Sequence, residues 1–194
     1  MSLASELKEI TSKPNESKYS LYEAIATRVV QSNQPEQVLE LAKHLVNVEA
    51  SEQYGRTYIV PELLNHIILL LADPEQKNED PMDVDDMTPL LKSMSELIRP
   101  KAEDMPDALM NTLDLLAKCH QANGDFKSAA YTLSSFKFDD YKNKSSAGVD
   151  ARVRWYVNTA EFFLAIGESG SASQQIKRAH ALIAELMKQQ TREA

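Results

Sequence analysis

LLAKCHQANGDFKSAAYTL (115–133) and NTAEFFLAIGESGSASQQI (158–176) are faint copies of one another, 43 positions apart. Ala117 falls on Ala160, Gly124 on Gly167, Ala129 on Ala172 and Leu133 on Ile176. The first alanine of each copy lets one helix approach its partner. The glycine supplies a left-handed turn, and the second alanine lies where the return helix crosses back. A period of this size predicts a stacked array of helix–turn–helix units, an architecture that holds partners more often than it performs chemistry.

Outward from these copies the chain reads as helical. Hydrophobic residues make up 43% and charged residues 26% of the 194, values that place it among globular proteins with a core to bury. Leu, Ala, Glu, Lys, Gln and Met dominate and β-branched runs are scarce, which favours helix over strand. The spacing predicts a first helix over 2–13 with Leu3, Leu7 and Ile10 on one face, ended by Pro14. A second is expected over 17–32, opened by a capping box of Ser20 and Glu23, and a third from Pro35 carrying Val38, Leu41, Ala42, Leu45 and Val46. A turn is expected at Gly55, and then the most apolar helix, 58–72, which by its circumference belongs at the centre.

Residues 73–87 carry two prolines and many acids, so they read as a long exposed loop, with Thr88-Pro89 opening a helix to Ile98 and Pro100 stopping it. Helices follow from Pro106 to Gly124, over 125–136, over 150–166 and over 170–189, with a polar link at 137–148. The expectation is an all-α, right-handed, TPR-like helical-repeat solenoid of about nine helices in one domain spanning 1–194. Before residue 100 only Ala26, Asn33, Val38 and Ala42 keep the spacing of the two clear copies, so 1–72 and 88–100 are expected as less regular helices.

Charge and composition narrow the partners. Residues 101–194 hold 12 basic and 12 acidic side chains, so the whole net charge of −8 sits in residues 1–100. The stretch 73–89 contains seven acids against Lys77 alone. Such a chain lacks the basic field on which nucleic-acid affinity rests, and no nucleic-acid partner is expected. The longest apolar run, 63–72, is too short to span a bilayer, so no membrane partner is expected either. A single cysteine makes no internal disulfide and fits a reducing compartment, cytosol or nucleus.

Candidates for chemistry each meet a plainer explanation. Cys119 and His120 are adjacent on a helix and diverge by about 100°, so Cys119 reads as a buried structural thiol. The four histidines show no zinc spacing. DPMDVDD fails as a calcium loop, because Thr88 stands where glycine is needed and Met94 where a bidentate glutamate belongs. No phosphate-cradling or nucleophile-elbow motif occurs, so catalytic residues, cofactor and metal ligands are all expected to be none. Trp155, Tyr156, Phe162 and Phe163 are expected to pack between repeats. Two candidate contact sets remain: the acids Asp83, Asp85 and Asp86, as a docking segment or a solvated linker, and a basic edge of Arg152, Arg154, Lys177 and Arg178 on the last two helices.

The segment Asp125, Phe126, Lys127, Ser128, Ala129, Ala130 with Leu133, the ending Ile176, Lys177, Arg178, Ala179, and the step Leu97-Ile98-Arg99-Pro100-Lys101 together resemble the subunit-4 family of the COP-nine signalosome, PCI proteins with an N-terminal helical-repeat arm. The resemblance covers roughly 38–183. It implies a non-catalytic scaffold in a complex that removes a ubiquitin-like modifier from cullin–RING ubiquitin ligases, with other signalosome subunits and cullin–RING components as partners, in cytoplasm and nucleus. Since family members continue into a winged-helix PCI domain, it also implies that this chain is either an N-terminal fragment, the simpler reading, or a truncated relative. Proteasome-lid subunits and other PCI complexes share the architecture and are the alternative, together with a generic TPR-like peptide-binding adaptor.

Overall fold

The computed structural model describes residues 2–49, 59–73, 82–141 and 144–193, without the side chains of 15, 16 and 189–193. The turn expected at Gly55 and most of the acidic stretch, 74–81, lie outside the described residues. Among the described residues there are nine α-helices and no strand: α1 (Leu3–Thr11), α2 (Asn15–Gln31), α3 (Pro35–Asn47), α4 (Ile59–Ala72), α5 (Val84–Ile98), α6 (Pro106–Ala122), α7 (Phe126–Ser134), α8 (Val149–Ala165) and α9 (Ser169–Glu193). The chain is all-α and built from helix–turn–helix pairs, as a helical-repeat fold requires. It divides into two compact units, Met1–Leu115 and Leu116–Ala194, with the boundary inside α6.

Three turns share one conformation. Gly124 and Gly167 have φ of 73° and 79°, and Asn33 is the one non-glycine with positive φ among the described residues, at 52°. In each turn the left-handed residue donates its N–H to the carbonyl three positions back: Asn33 to Val30, Gly124 to Gln121, Gly167 to Leu164. The two glycine turns add a second bond, Asp125 to His120 and Glu168 to Phe163, each 2.8 Å, which completes a Schellman ending. The residue after each turn then reaches three positions forward. Gln34 Oε1 accepts from Gln37, Asp125 Oδ1 accepts from the Ser128 N–H at 2.9 Å, and Glu168 Oε2 accepts from the Ser171 hydroxyl at 3.1 Å. Accepting from Ser128 holds the Asp125 carboxyl below its ordinary range. The faint early trace thus has the turn of the clear copies, and Ala26, Val38 and Ala42 are all fully buried. Asparagine serves there because its short polar side chain tolerates the left-handed region. No side chain crowds the Cβ position at Gly124, so the cost of substitution there is in the backbone. Gly124→Val is expected to destabilise by about 1 kcal/mol or more in urea unfolding. A neutral result would refute the left-handed turn.

In the first unit α2 packs on α3 and α4, and α3 packs on α5. The central helix is α4, with seven buried apolar residues from Val60 to Leu71; Leu69, at 63%, is its one large apolar side chain that is exposed. Two helix starts differ from expectation. The second helix opens at Asn15 because Pro14, at φ −60° and ψ 147°, already supplies the extended entry; Ser20 and Glu23 therefore lie inside it and form no cap. The fifth opens at Val84, so 84–87 is helix and not loop. Met82 and Met87 hold the positions of a hydrophobic staple and both are buried, which fixes the entry before Thr88 is reached. Thr88 is no cap: its hydroxyl donates to the Val84 carbonyl at 2.8 Å, with Pro89 inside the helix.

A buried polar cluster ties α1 to α2 and α3. Lys18 and Glu49 are 1% and 3% exposed, and Nζ lies 3.3 Å from Oε1. Lys18 also donates to the Thr11 carbonyl at 2.7 Å, satisfying one of the orphan carbonyls at the end of α1. The Tyr22 hydroxyl donates to Glu49 Oε1 at 2.8 Å, and the Thr11 hydroxyl donates to the Leu7 carbonyl at 2.9 Å. Both hydroxyls also contact His44 Nε2, at 3.0 and 3.1 Å. Their protons being committed elsewhere, the hydrogen-bond pattern assigns a proton to Nε2. Burial pushes the His44 pKa down, against an opposing pull from Glu49.

Candidate functional site

The second unit is held by helix pairs α7–α8 and α8–α9. Ala130, Ala160, Ala172 and the ring of Phe163 form a core cluster in it, to which the repeat positions Ala160 and Ala172 contribute. Ala117, Ala129, Ala160 and Ala172 are buried, as is Leu133. Ile176, the counterpart of Leu133, is 47% exposed. The register slips because α9 buries Ala172, Gln175 and Ala179 instead, and among the described residues no element covers the face bearing Ile176.

The segment expected as a polar link contains the main aromatic cluster. Residues Phe138–Tyr141 form a 3₁₀ turn, and Phe138 is 3% exposed. Its ring meets Phe136, Trp155 and Tyr156 edge-on, with centroids 5.0, 5.8 and 5.7 Å apart. The Trp155 indole donates to the Leu133 carbonyl at 3.2 Å. Apolar spacing could not reveal Phe138, because Asp139, Asp140 and three lysines surround it in sequence.

A groove of about 480 Å³ opens above this cluster, between the 3₁₀ turn, α8 and α9. Phe138 and Tyr156 line it, with Arg152, Arg178, Asp139 and Glu185. The Arg152 guanidinium lies 5.5 Å from the Phe138 ring centroid, and that of Arg178 lies 5.9 Å from Tyr156. Arg152 Nε donates to the Ala147 carbonyl at 2.9 Å, which fixes its plane. Burial raises the Tyr156 pKa, with Arg178 and Arg152 pulling it down and Asp139 pushing it up.

Two of the four residues of the expected basic edge, Arg152 and Arg178, thus meet in one groove. Arg154 is two positions round α8 and Lys177 one position round α9, so both point elsewhere and are exposed. Asp83 is the N-cap residue of α5, and Asp85 and Asp86 lie in its first turn; all three are exposed, beside the positive end of the helix dipole. They belong to the first unit and the arginine groove to the second. Cys119 is buried at 4% exposure. Among the described residues no three His, Cys, Asp or Glu side chains gather as a metal-binding group, and no helix is long and apolar enough to cross a membrane.

Comparison with known proteins returns no matching family model and no matching curated protein. Solved structures do overlap the chain. One is a putative kinesin light chain from Podosopora anserina with nearly identical TPR-like repeats, 17% identical, covering 96% of each chain at a TM-score of 0.34. A further structure of that protein is 18% identical, covers 95% of this chain and 96% of its own, and has a TM-score of 0.33. MamA is 14% identical, with 89% and 93% covered and a TM-score of 0.31. At such scores these likenesses carry no functional argument, and the reading below rests on the chain's own residues.

Proposed function

We propose that the chain is a non-catalytic scaffold, the helical-repeat arm of a COP-nine signalosome subunit that helps the complex recognise cullin–RING ubiquitin ligases for removal of their ubiquitin-like modifier. The observation that carries this reading is the motif Asp125–Leu133. Its aspartate caps α7 through Ser128, and its Ala129, Ala130 and Leu133 are buried, so the residues that resemble the signalosome subunit are those that build the hairpin. Ala179 of the Ile176–Ala179 ending is likewise buried, while Arg178 stays at the surface. The proposed setting is cytoplasm and nucleus, with other signalosome subunits as neighbours. A second reading, a TPR-like adaptor for extended peptides, draws on the arginine groove of α8 and α9. Membership of the proteasome lid or another PCI complex is the further alternative.

Titrating the purified chain against cullin–RING complexes and against proteasome-lid subunits tests the assignment. Binding to the cullin–RING complex is expected to weaken as salt is raised from 50 to 300 mM, and to fall several-fold when Asp83, Asp85 and Asp86 are all replaced by Asn. Binding confined to lid subunits would overturn the signalosome reading, and unchanged affinity in the triple variant would remove the acidic turn from the interface.

A further inference from the structure

We propose that the groove between the Phe138–Tyr141 turn, α8 and α9 is a receptor for a single aspartate or glutamate side chain carried on an extended peptide segment of a protein partner. Three donor side chains line or flank it, and among them only Arg152, through Nε to the Ala147 carbonyl, makes a hydrogen bond among the described residues. Arg152 and Arg178 make no ion pair among the described residues, although Asp139 and Glu185 line the same groove. Each guanidinium is instead parked over an aromatic ring, 5.5 Å from Phe138 and 5.9 Å from Tyr156. A guanidinium held by a ring face keeps its remaining in-plane N–H groups for a planar acceptor, and carboxylate matches that fork.

The third donor is the Tyr156 hydroxyl. Tyr156 is only 7% exposed, yet its hydroxyl has no hydrogen-bond partner among the described residues. A tyrosine this buried ordinarily finds one. The oxygen is not sealed in the core either, since among the described residues the one fully enclosed side-chain polar atom without a partner is His66 Nε2. Tyr156 lines the groove, where an acceptor on a bound segment would complete its hydroxyl.

Size and charge select the occupant. About 480 Å³ accommodates one or two side chains and excludes a folded domain. The rim acids Asp139 and Glu185 repel a polyanion, so an isolated carboxylate between neutral or basic neighbours fits better than an acidic run or a nucleic-acid backbone. The inference extends the interaction-scaffold reading and does not depend on signalosome membership.

The test uses the whole chain and a positional-scanning library of N-acetylated, C-amidated octapeptides, read by fluorescence polarisation. Sublibraries with Asp or Glu fixed at one interior position should bind about 10-fold more tightly than those with Asn or Gln there, the discrimination expected of a charge-assisted pair. Arg178→Gln and Arg152→Gln should each remove most of that preference, and Tyr156→Phe should reduce it about 3-fold or more while leaving the ring in place. Arg178 is exposed, so its variant should keep the parent's thermal midpoint and isolates binding from folding. The proposal is overturned by equal binding of acid and amide sublibraries, or by a preference that survives both arginine changes. It is equally overturned if libraries with a free C-terminal carboxylate and no acidic side chain bind more tightly, or if inorganic phosphate displaces the peptides at lower concentration than acetate does. Cullin–RING binding is measured separately, so either result can fail while the other stands.

Discussion

Glu49→Gln should destabilise the first unit by about 3–5 kcal/mol, the largest effect expected of any polar substitution in the chain. The change keeps the shape of the side chain and an oxygen for the Tyr22 hydroxyl, so what is lost is the charge opposite Lys18. Lys18 is 1% exposed and cannot recover its hydration without opening α1 from α2. An uncompensated ammonium in that setting costs far more than the net worth of the pair, because the pair itself roughly balances desolvation against attraction. The double variant Lys18→Met, Glu49→Gln should therefore regain most of the loss, leaving mainly the Thr11 carbonyl without its donor. Urea unfolding followed by far-ultraviolet circular dichroism measures both. A single variant within about 1 kcal/mol of the parent would show that water reaches Lys18.

Trp155→Ala should cost about 3–5 kcal/mol in the second unit. The indole is 7% exposed, meets Phe136 and Phe138 at 5.6 and 5.8 Å, and donates to the Leu133 carbonyl. Removing it opens a cavity beneath the 3₁₀ turn that carries Phe138, and with it the support of Arg152. Trp155→Phe fills most of that space and loses one hydrogen bond, and the Leu133 carbonyl still accepts from the Phe136 N–H, so about 1 kcal/mol is expected. Calorimetry distinguishes the two. Equal costs for Ala and Phe would mean that the hydrogen bond, not packing, holds the turn.

The helices were legible because Leu, Ala and their spacing report burial directly, and the two glycine turns were legible because positive φ selects glycine. What escaped has physical reasons. Asn33 keeps the glycine's place in the repeat spacing, but asparagine does not by itself mark positive φ, so the left-handed conformation there was not legible, and its capping pair Gln34–Gln37 is of a kind seldom read as a cap. The start of α5 is set by two methionines flanking acidic residues, and charge density concealed the staple. Phe138 lies among charges that its neighbours in space, not in sequence, offset. Of the candidate contact residues, the sequence could place Arg152 and Arg178 on two helices but not opposite each other across a groove, because that depends on the approach of α8 and α9. Tyr156 carried no mark in the sequence that its hydroxyl would lack a partner.

Glu168 has one more property, since its two oxygens serve different helices. One accepts from Ser171 in the first turn of α9, the other from the Tyr131 hydroxyl of α7 at 2.8 Å. A thermal opening that lifts α7 away from this carboxylate also loosens the start of α9, and the reverse. The two hairpins consequently share a fastening, and the second unit should breathe as one cooperative body instead of as separate helix pairs that fray on their own.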